Sequence, residues 1–135
     1  MQHGLAWHIR NFEGLEALRK AVSLFEGNHD FRSFSAKRND GKDETRDTWR
    51  EITEAKAVEG PDESILLTFS GNGFLYKMVR FLVGSSVYYA QGKLTLPEIS
   101  RLLRGENPLE KAPYCAPPDG LSLLAVRYPV EFSLK

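Results

Sequence analysis

Apolar residues near the start of the chain recur every three to four positions. Leu15, Leu18 and Val22 have the spacing of one face of an α-helix. Gly27 follows shortly afterwards and is a typical helix stop signal. The pattern therefore predicts a helix over about residues 12–26.

Two further apolar stretches, separated by turn residues, favour β-structure. The first contains Trp49, Ile52 and Ala57, and the second runs over residues 65–69. Between them, the sequence Gly-Pro-Asp-Glu at 60–63 is typical of a turn. We therefore predict two strands joined as an antiparallel hairpin.

The second half of the chain predicts two more helices and a last strand. The apolar segment 74–90 contains no proline and is too long for a strand, so it predicts the central helix. A shorter helix is predicted over 97–103, with Pro97 in its first turn, where a missing N–H does no harm. Residues 121–128 predict the final strand.

This order of elements predicts an α+β fold, in which an antiparallel sheet carries helices packed on one face. Only three strands are predicted, and a sheet this small leaves its edges open to pairing. The sheet is therefore expected to extend onto another domain or onto a second copy of the chain.

Length and composition fit one folded domain spanning residues 1–135. Hydrophobic residues make up 41% of the chain and charged residues 27%, which excludes a disordered tail. The 18 Lys and Arg residues balance 18 Asp and Glu residues, so a uniformly basic protein that coats nucleic acid is also excluded. No run approaches the ~20 apolar residues of a membrane span. The single cysteine allows no internal disulfide and favours a reducing cytoplasm.

The balanced charge is unevenly distributed along the chain. No Asp or Glu occurs between Ser64 and Pro97, although Lys77, Arg80 and Lys93 lie within that window. This acid-free window is the candidate anion-facing region.

On a helical wheel, one narrow side of the predicted central helix is cationic and is flanked by glycines that would let a ligand or another backbone come close. Its members are Gly73, Tyr76, Lys77, Arg80 and Gly84. Arg80 is either a surface arginine of an amphipathic helix or an arginine that binds a carboxylate or phosphate through its two-pronged guanidinium. A carboxylate partner would have to come from another element.

Other candidate chemistry is weak. The glycines at 71–73 begin like a dinucleotide-binding fingerprint but lack its third glycine, and Gly92-Lys93 lacks the Ser or Thr of a phosphate loop. The three histidines are scattered, so no metal site is expected. Cys115 has no evident base partner and is interpreted as an incidental thiol. The mixed charge run over 36–50 predicts a long exposed loop, which is either simply solvated or in contact with nucleic acid.

Four ordered blocks of the sequence resemble a known family. The segment 71–80, GNGFLYKMVR, is similar to the signature of the TruA-type tRNA pseudouridine synthases. The blocks at 27–34, 46–50 and 120–129 agree with that family in order and approximate spacing. The resemblance covers the chain from about Trp7 to Tyr128.

The resemblance implies the pseudouridine synthase fold and an isomerase that converts uridine to pseudouridine in the anticodon stem-loop of tRNA. The family uses neither metal nor cofactor and works as a homodimer. An essential Asp starts the reaction, the glycosidic bond breaks, and uracil is rejoined through C5. The arginine that pairs with this Asp corresponds to Arg80, and Leu121 corresponds to an apolar wall of the uracil pocket. The residues expected to contact tRNA are Lys37, Arg38, Lys42, Arg46, Tyr76 and Lys77.

The catalytic Asp of the family lies in a Gly-Arg-Thr-Asp motif, which does not occur in this sequence. Thr45-Arg46-Asp47 is superficially similar, but it follows the His-Asp-Phe block and is a different segment, so Asp47 is not expected to be the nucleophile. The chain is therefore expected to be the C-terminal half of such an enzyme and inactive alone. The alternative is a non-catalytic RNA-binding or dimerisation module with the same fold.

Overall fold

Five strands, three α-helices and a short 3₁₀ helix are found in the computed structural model, which describes residues 3–9, 14–36, 47–60, 64–116 and 122–126. The strands are β1 (His3–Ile9), β2 (Gly27–Asp30), β3 (Trp49–Glu59), β4 (Ile65–Gly71) and β5 (Ser122–Val126). The α-helices are α1 (Leu15–Ser23), α2 (Met78–Ala90) and α3 (Leu96–Leu102), and the 3₁₀ helix is Phe31–Phe34.

The five strands form one sheet in the order β2-β3-β4-β1-β5, and every neighbouring pair is antiparallel. The predicted hairpin is confirmed as β3 and β4, in which Ala57 lies opposite Leu67. With helices packed against this sheet, the predicted α+β class is also confirmed. No helix among the described residues is long and apolar enough to cross a membrane.

The core lies between one face of the sheet and the helices. Alternate residues of β4, namely Ile65, Leu67 and Phe69, are buried because successive side chains of a strand point to opposite faces. The helices contribute buried residues at helical spacing, which include Leu18 and Val22 of α1 and Met78, Leu82 and Val83 of α2. Burying each such side chain stabilises the fold by roughly 1.5–3 kcal/mol.

Two strands, β1 and β2, are absent from the sequence prediction. In β1, the large apolar residues Leu5, Trp7 and Ile9 occupy every second position, which is the pattern of a strand. Strand β2 has the sequence Gly-Asn-His-Asp and therefore carries no apolar signal. It is held by its pairing with β3 and by a hydrogen bond from the Asp30 N–H to the Leu103 carbonyl oxygen, 3.2 Å long.

The helix boundaries differ from the predicted ones. Helix α1 ends at Ser23, short of the predicted end near residue 26, and Gly27, with a φ of 109°, begins β2. The first residues of the predicted helix, 12 and 13, lie outside the described residues. Helix α3 begins at Leu96, one residue earlier than predicted, because Thr95 and Glu98 form a reciprocal capping box.

The central helix begins at Met78 and not at residue 74 as predicted. Lys77 has a left-handed backbone, with a φ of 61°, which no residue inside an α-helix adopts. Three apolar or aromatic residues and Lys77 therefore precede the helix in an irregular turn, which hydrophobicity alone does not reveal. This turn joins the end of β4 to the helix that carries Arg80.

Candidate functional site

Arg80 lies in the first turn of α2, directly after the turn that leaves the sheet. Its side chain is half-buried, and Nε donates a hydrogen bond of 2.7 Å to the carbonyl oxygen of Ala116. The N–H of Ala116 in turn donates to the Arg80 carbonyl oxygen at 3.0 Å. Arg80 is thus fixed to a neighbouring segment of backbone and does not extend freely into solvent.

No acidic side chain among the described residues pairs with Arg80. The one acidic residue buried among the described residues is Asp30, which is engaged elsewhere. Its Oδ1 accepts hydrogen bonds from the Thr48 hydroxyl at 2.6 Å and from the Arg32 N–H at 3.1 Å. Asp30 therefore ties β2 to the residues that precede β3, and its role within the described structure is structural.

The predicted tRNA-contacting residues Tyr76 and Lys77 lie together at the start of α2. Tyr76 is 39% exposed, and the Lys77 Nζ lies 5.4 Å from the centroid of its ring. The Tyr76 carbonyl oxygen accepts a hydrogen bond of 3.0 Å from the Ala36 N–H. This bond brings the residue just before the mixed-charge segment 37–46 to the beginning of the helix.

Several predicted site residues lie outside the described residues. These are Lys37, Arg38, Lys42, Arg46 and Leu121. The two sides of the segment that carries the first four are held close together, because the Phe31 N–H donates to the Thr48 carbonyl oxygen at 3.0 Å.

Sequence reasoning did not assign a role to Trp49 and Arg50, although both lie beside this region. Trp49 is 50% exposed, which is unusual for so large an apolar side chain. The Arg50 Nε lies 3.8 Å from the place that a Cβ of Gly73 would occupy, so β3 meets the turn before α2 at this point. The available sequence signal was the Trp-Arg pair itself, placed at the end of a charged loop.

Metal-binding groups are not assembled in the described part of the chain, where no cluster of three or more His, Cys, Asp or Glu side chains could hold an ion. The described site offers a cationic guanidinium, with the exposed Tyr76 and the half-buried Lys77 in the turn directly before its helix. Such a set suits an anionic or nucleic-acid ligand.

Comparison with known proteins identifies a family that fits this arrangement. Residues 21–129 match the family described as tRNA pseudouridine synthase. A relative from Akkermansia muciniphila, named tRNA pseudouridine synthase A, is 43% identical over 129 residues, which are 95% of this chain and 49% of the relative. A Bacillus cereus protein, tRNA pseudouridine synthase A 1, is 41% identical over 114 residues, which are 84% of this chain and 44% of that protein. The chain thus spans about half the length of the curated relatives it matches.

Proposed function

The chain belongs to the tRNA pseudouridine synthase family, and from that premise we propose that it is the C-terminal half of an enzyme that isomerises uridine in the anticodon stem-loop of tRNA. The observation that carries the proposal is Arg80, a half-buried cation without an acidic partner among the described residues. A guanidinium near a protein core is costly unless an anion meets it. The Gly-Arg-Thr-Asp motif that would supply this anion is missing from the sequence.

In the proposed reaction the carboxylate of the other half and Arg80 act as a pair. The cation lowers the pKa of the carboxyl group and keeps it ionised, as nucleophilic or base chemistry requires. The glycosidic bond then breaks and uracil is rejoined through C5, with Leu121 forming an apolar wall of the uracil pocket. No metal or cofactor takes part in this proposal.

The experiment that tests this function is complementation of the missing half. We expect the purified chain alone to form no pseudouridine in a tRNA transcript. The first half of the Akkermansia muciniphila relative, fused ahead of residue 1, is expected to restore conversion because it supplies the carboxylate. Pseudouridine is measured by mass spectrometry of the digested tRNA, with each half alone as the control.

Two results would contradict the proposal. Pseudouridine formed by the chain alone would show that it needs no second half. A fused protein that folds and binds tRNA but converts no uridine would favour the alternative, a non-catalytic RNA-binding module with this fold.

The proposed tRNA surface contains Tyr76 and Lys77, together with the four basic residues of segment 37–46. Phosphate contacts from lysine release counterions, so each one adds to the salt dependence of binding. We expect Lys77→Gln to weaken tRNA binding and to reduce the slope of log K against log salt by about 0.7–0.9. Titrations at several salt concentrations measure that slope. Lys20→Gln, which replaces an exposed lysine of α1, is the matched control. Equal slopes for the two variants would show that Lys77 makes no phosphate contact and does not belong to the proposed tRNA surface.

We also propose that the assembled enzyme is a homodimer, as the family resemblance implies, and that it works in the cytoplasm, as the single cysteine favours. Within the described sheet, β2 and β5 are the edge strands. Their outer backbone groups could pair with strands of the other half or of a second copy.

A further inference from the structure

Residues 112–116, called here the strap, lie along one side of α2. Three helix residues contact the strap, and they are spaced four positions apart: Arg80, Gly84 and Tyr88. Positions separated by four residues lie on the same side of an α-helix. The strap therefore follows a single line along the helix surface.

Gly84 allows the strap to lie directly on the helix. A Cβ at this position would clash with the carbonyl oxygen of Tyr114 and would lie 3.1 Å from the Ala116 nitrogen. Gly84 is itself buried in the middle of α2. Any larger side chain would have to displace the backbone of the strap from the helix.

The strap is also held in place at its middle and at its first residue. The Tyr114 ring stacks on the Tyr88 ring, with centroids 4.7 Å apart and planes 8° from parallel. At the first residue of the strap, the Ala112 N–H donates a hydrogen bond of 2.8 Å to the Ser33 carbonyl oxygen. The position of Ala116 beside Arg80 is thus supported by contacts at two earlier residues of the strap.

The bond from the strap determines which edge of the Arg80 guanidinium remains available. A guanidinium offers carboxylates two pairs of donors, one formed by Nε with an Nη and the other by the two Nη atoms. The Arg80 Nε–H is donated to the Ala116 carbonyl oxygen at 2.7 Å. Within the described residues the Nη atoms have no hydrogen-bond partner, so the second pair remains.

We propose that the strap is a positioning element, which holds Arg80 by Nε so that its two Nη atoms meet the catalytic carboxylate end-on. Gly84 and Tyr114 are the positioning residues, because they determine where the Ala116 carbonyl oxygen lies. This inference rests on the proposed function for the identity of the carboxylate, but the restraint on Nε is a property of this chain alone.

The restraint is tested first on the chain itself, by NMR measurement of hydrogen exchange at the Arg80 Nε–H. We expect exchange at least ~10-fold slower than in free arginine, because the hydrogen bond must open before exchange occurs. Tyr114→Ala should remove most of this protection, whereas Tyr114→Phe, which keeps the ring stack, should preserve it. Tyr89→Ala, next to Tyr88 and outside the stack, is the control. Unprotected Nε–H in the unchanged chain would overturn the inference.

The effect on catalysis is tested in the fused protein. Misplacement of a reacting group by about 1 Å can cost ~10²-fold in rate, so we expect Gly84→Ala to lower kcat by about that factor and Tyr114→Ala by about 10-fold. KM for tRNA should change less than about twofold, because the phosphate contacts lie elsewhere. Because Tyr114 is only half-buried, its variants are expected to fold. They therefore provide the test if Gly84→Ala fails to fold.

The outcomes separate this inference from the proposed function. If Tyr114→Ala loses Nε protection yet keeps the kcat of the Tyr114→Phe protein, the strap does not position Arg80 for catalysis. If the unchanged fused protein makes no pseudouridine while Nε is protected, the proposed function fails and the restraint on Nε stands.

Discussion

Replacing Arg80 by alanine in the fused protein is expected to lower the rate of pseudouridine formation by about 10²–10⁴-fold. Removing one member of a buried ion pair costs about 3–5 kcal/mol, and each 1.36 kcal/mol in the barrier corresponds to a tenfold change in rate. In the proposed enzyme, the carboxylate left behind would lose the charge that keeps it ionised. Single-turnover conversion of tRNA, with the enzyme in excess, measures this step directly.

Arg101→Ala is the matched control for this experiment. Arg101 is an exposed arginine on α3 that forms an ion pair with Glu110. Its loss should leave the rate within about twofold, since exposed ion pairs contribute at most ~1 kcal/mol. Arg80→Lys should recover only part of the activity, because an ammonium group has no flat pair of donors. Normal turnover by Arg80→Ala would show that this arginine does not pair with the catalytic carboxylate.

The largest loss of stability is expected from Phe34→Ala. Phe34 is fully buried in the 3₁₀ helix and packs edge-on against Phe25 at 5.6 Å and Phe31 at 6.3 Å between ring centroids. Truncating a buried phenylalanine removes its transfer free energy and leaves a cavity, so the free energy of unfolding should fall by about 3–5 kcal/mol. Urea denaturation followed by tryptophan fluorescence measures the change.

Val58→Ala provides the comparison for that measurement. Val58 is an apolar residue of β3 with its side chain exposed, and its truncation should change the free energy of unfolding by no more than about 0.5 kcal/mol. A loss below about 1 kcal/mol for Phe34→Ala would mean that the 3₁₀ helix is not packed into the core as described.

The fold was predictable from sequence wherever an element buries a regular apolar pattern. The hairpin of β3 and β4 and the existence of α1, α2 and α3 follow from such patterns. Strand β2 was not predictable in this way, because its four residues are Gly, Asn, His and Asp and its stability comes from backbone pairing with β3. Local hydrophobicity carries no information about a strand of that kind.

The candidate site was predictable in its residue types but not in its geometry. The acid-free window indicated Arg80, and the flanking glycine at 84 indicated the close approach of either a ligand or another backbone. That this backbone belongs to Tyr114 and Ala116 could not be inferred, because the contact joins positions 36 residues apart through a main-chain oxygen. Main-chain hydrogen bonds between distant segments depend on the whole fold and leave no residue signature.

The pairing of β1 with β5 has a consequence for how quickly the molecule folds. The two strands lie near opposite ends of the chain, and Gly4 faces Val126 across more than a hundred residues of sequence. Contacts of such long range slow folding, because closing the loop costs conformational entropy before the contact can stabilise the chain. During synthesis, β1 can pair with β4, but its other edge stays open until β5 emerges. The interval before that strand arrives is the period in which this sheet is most exposed to aggregation.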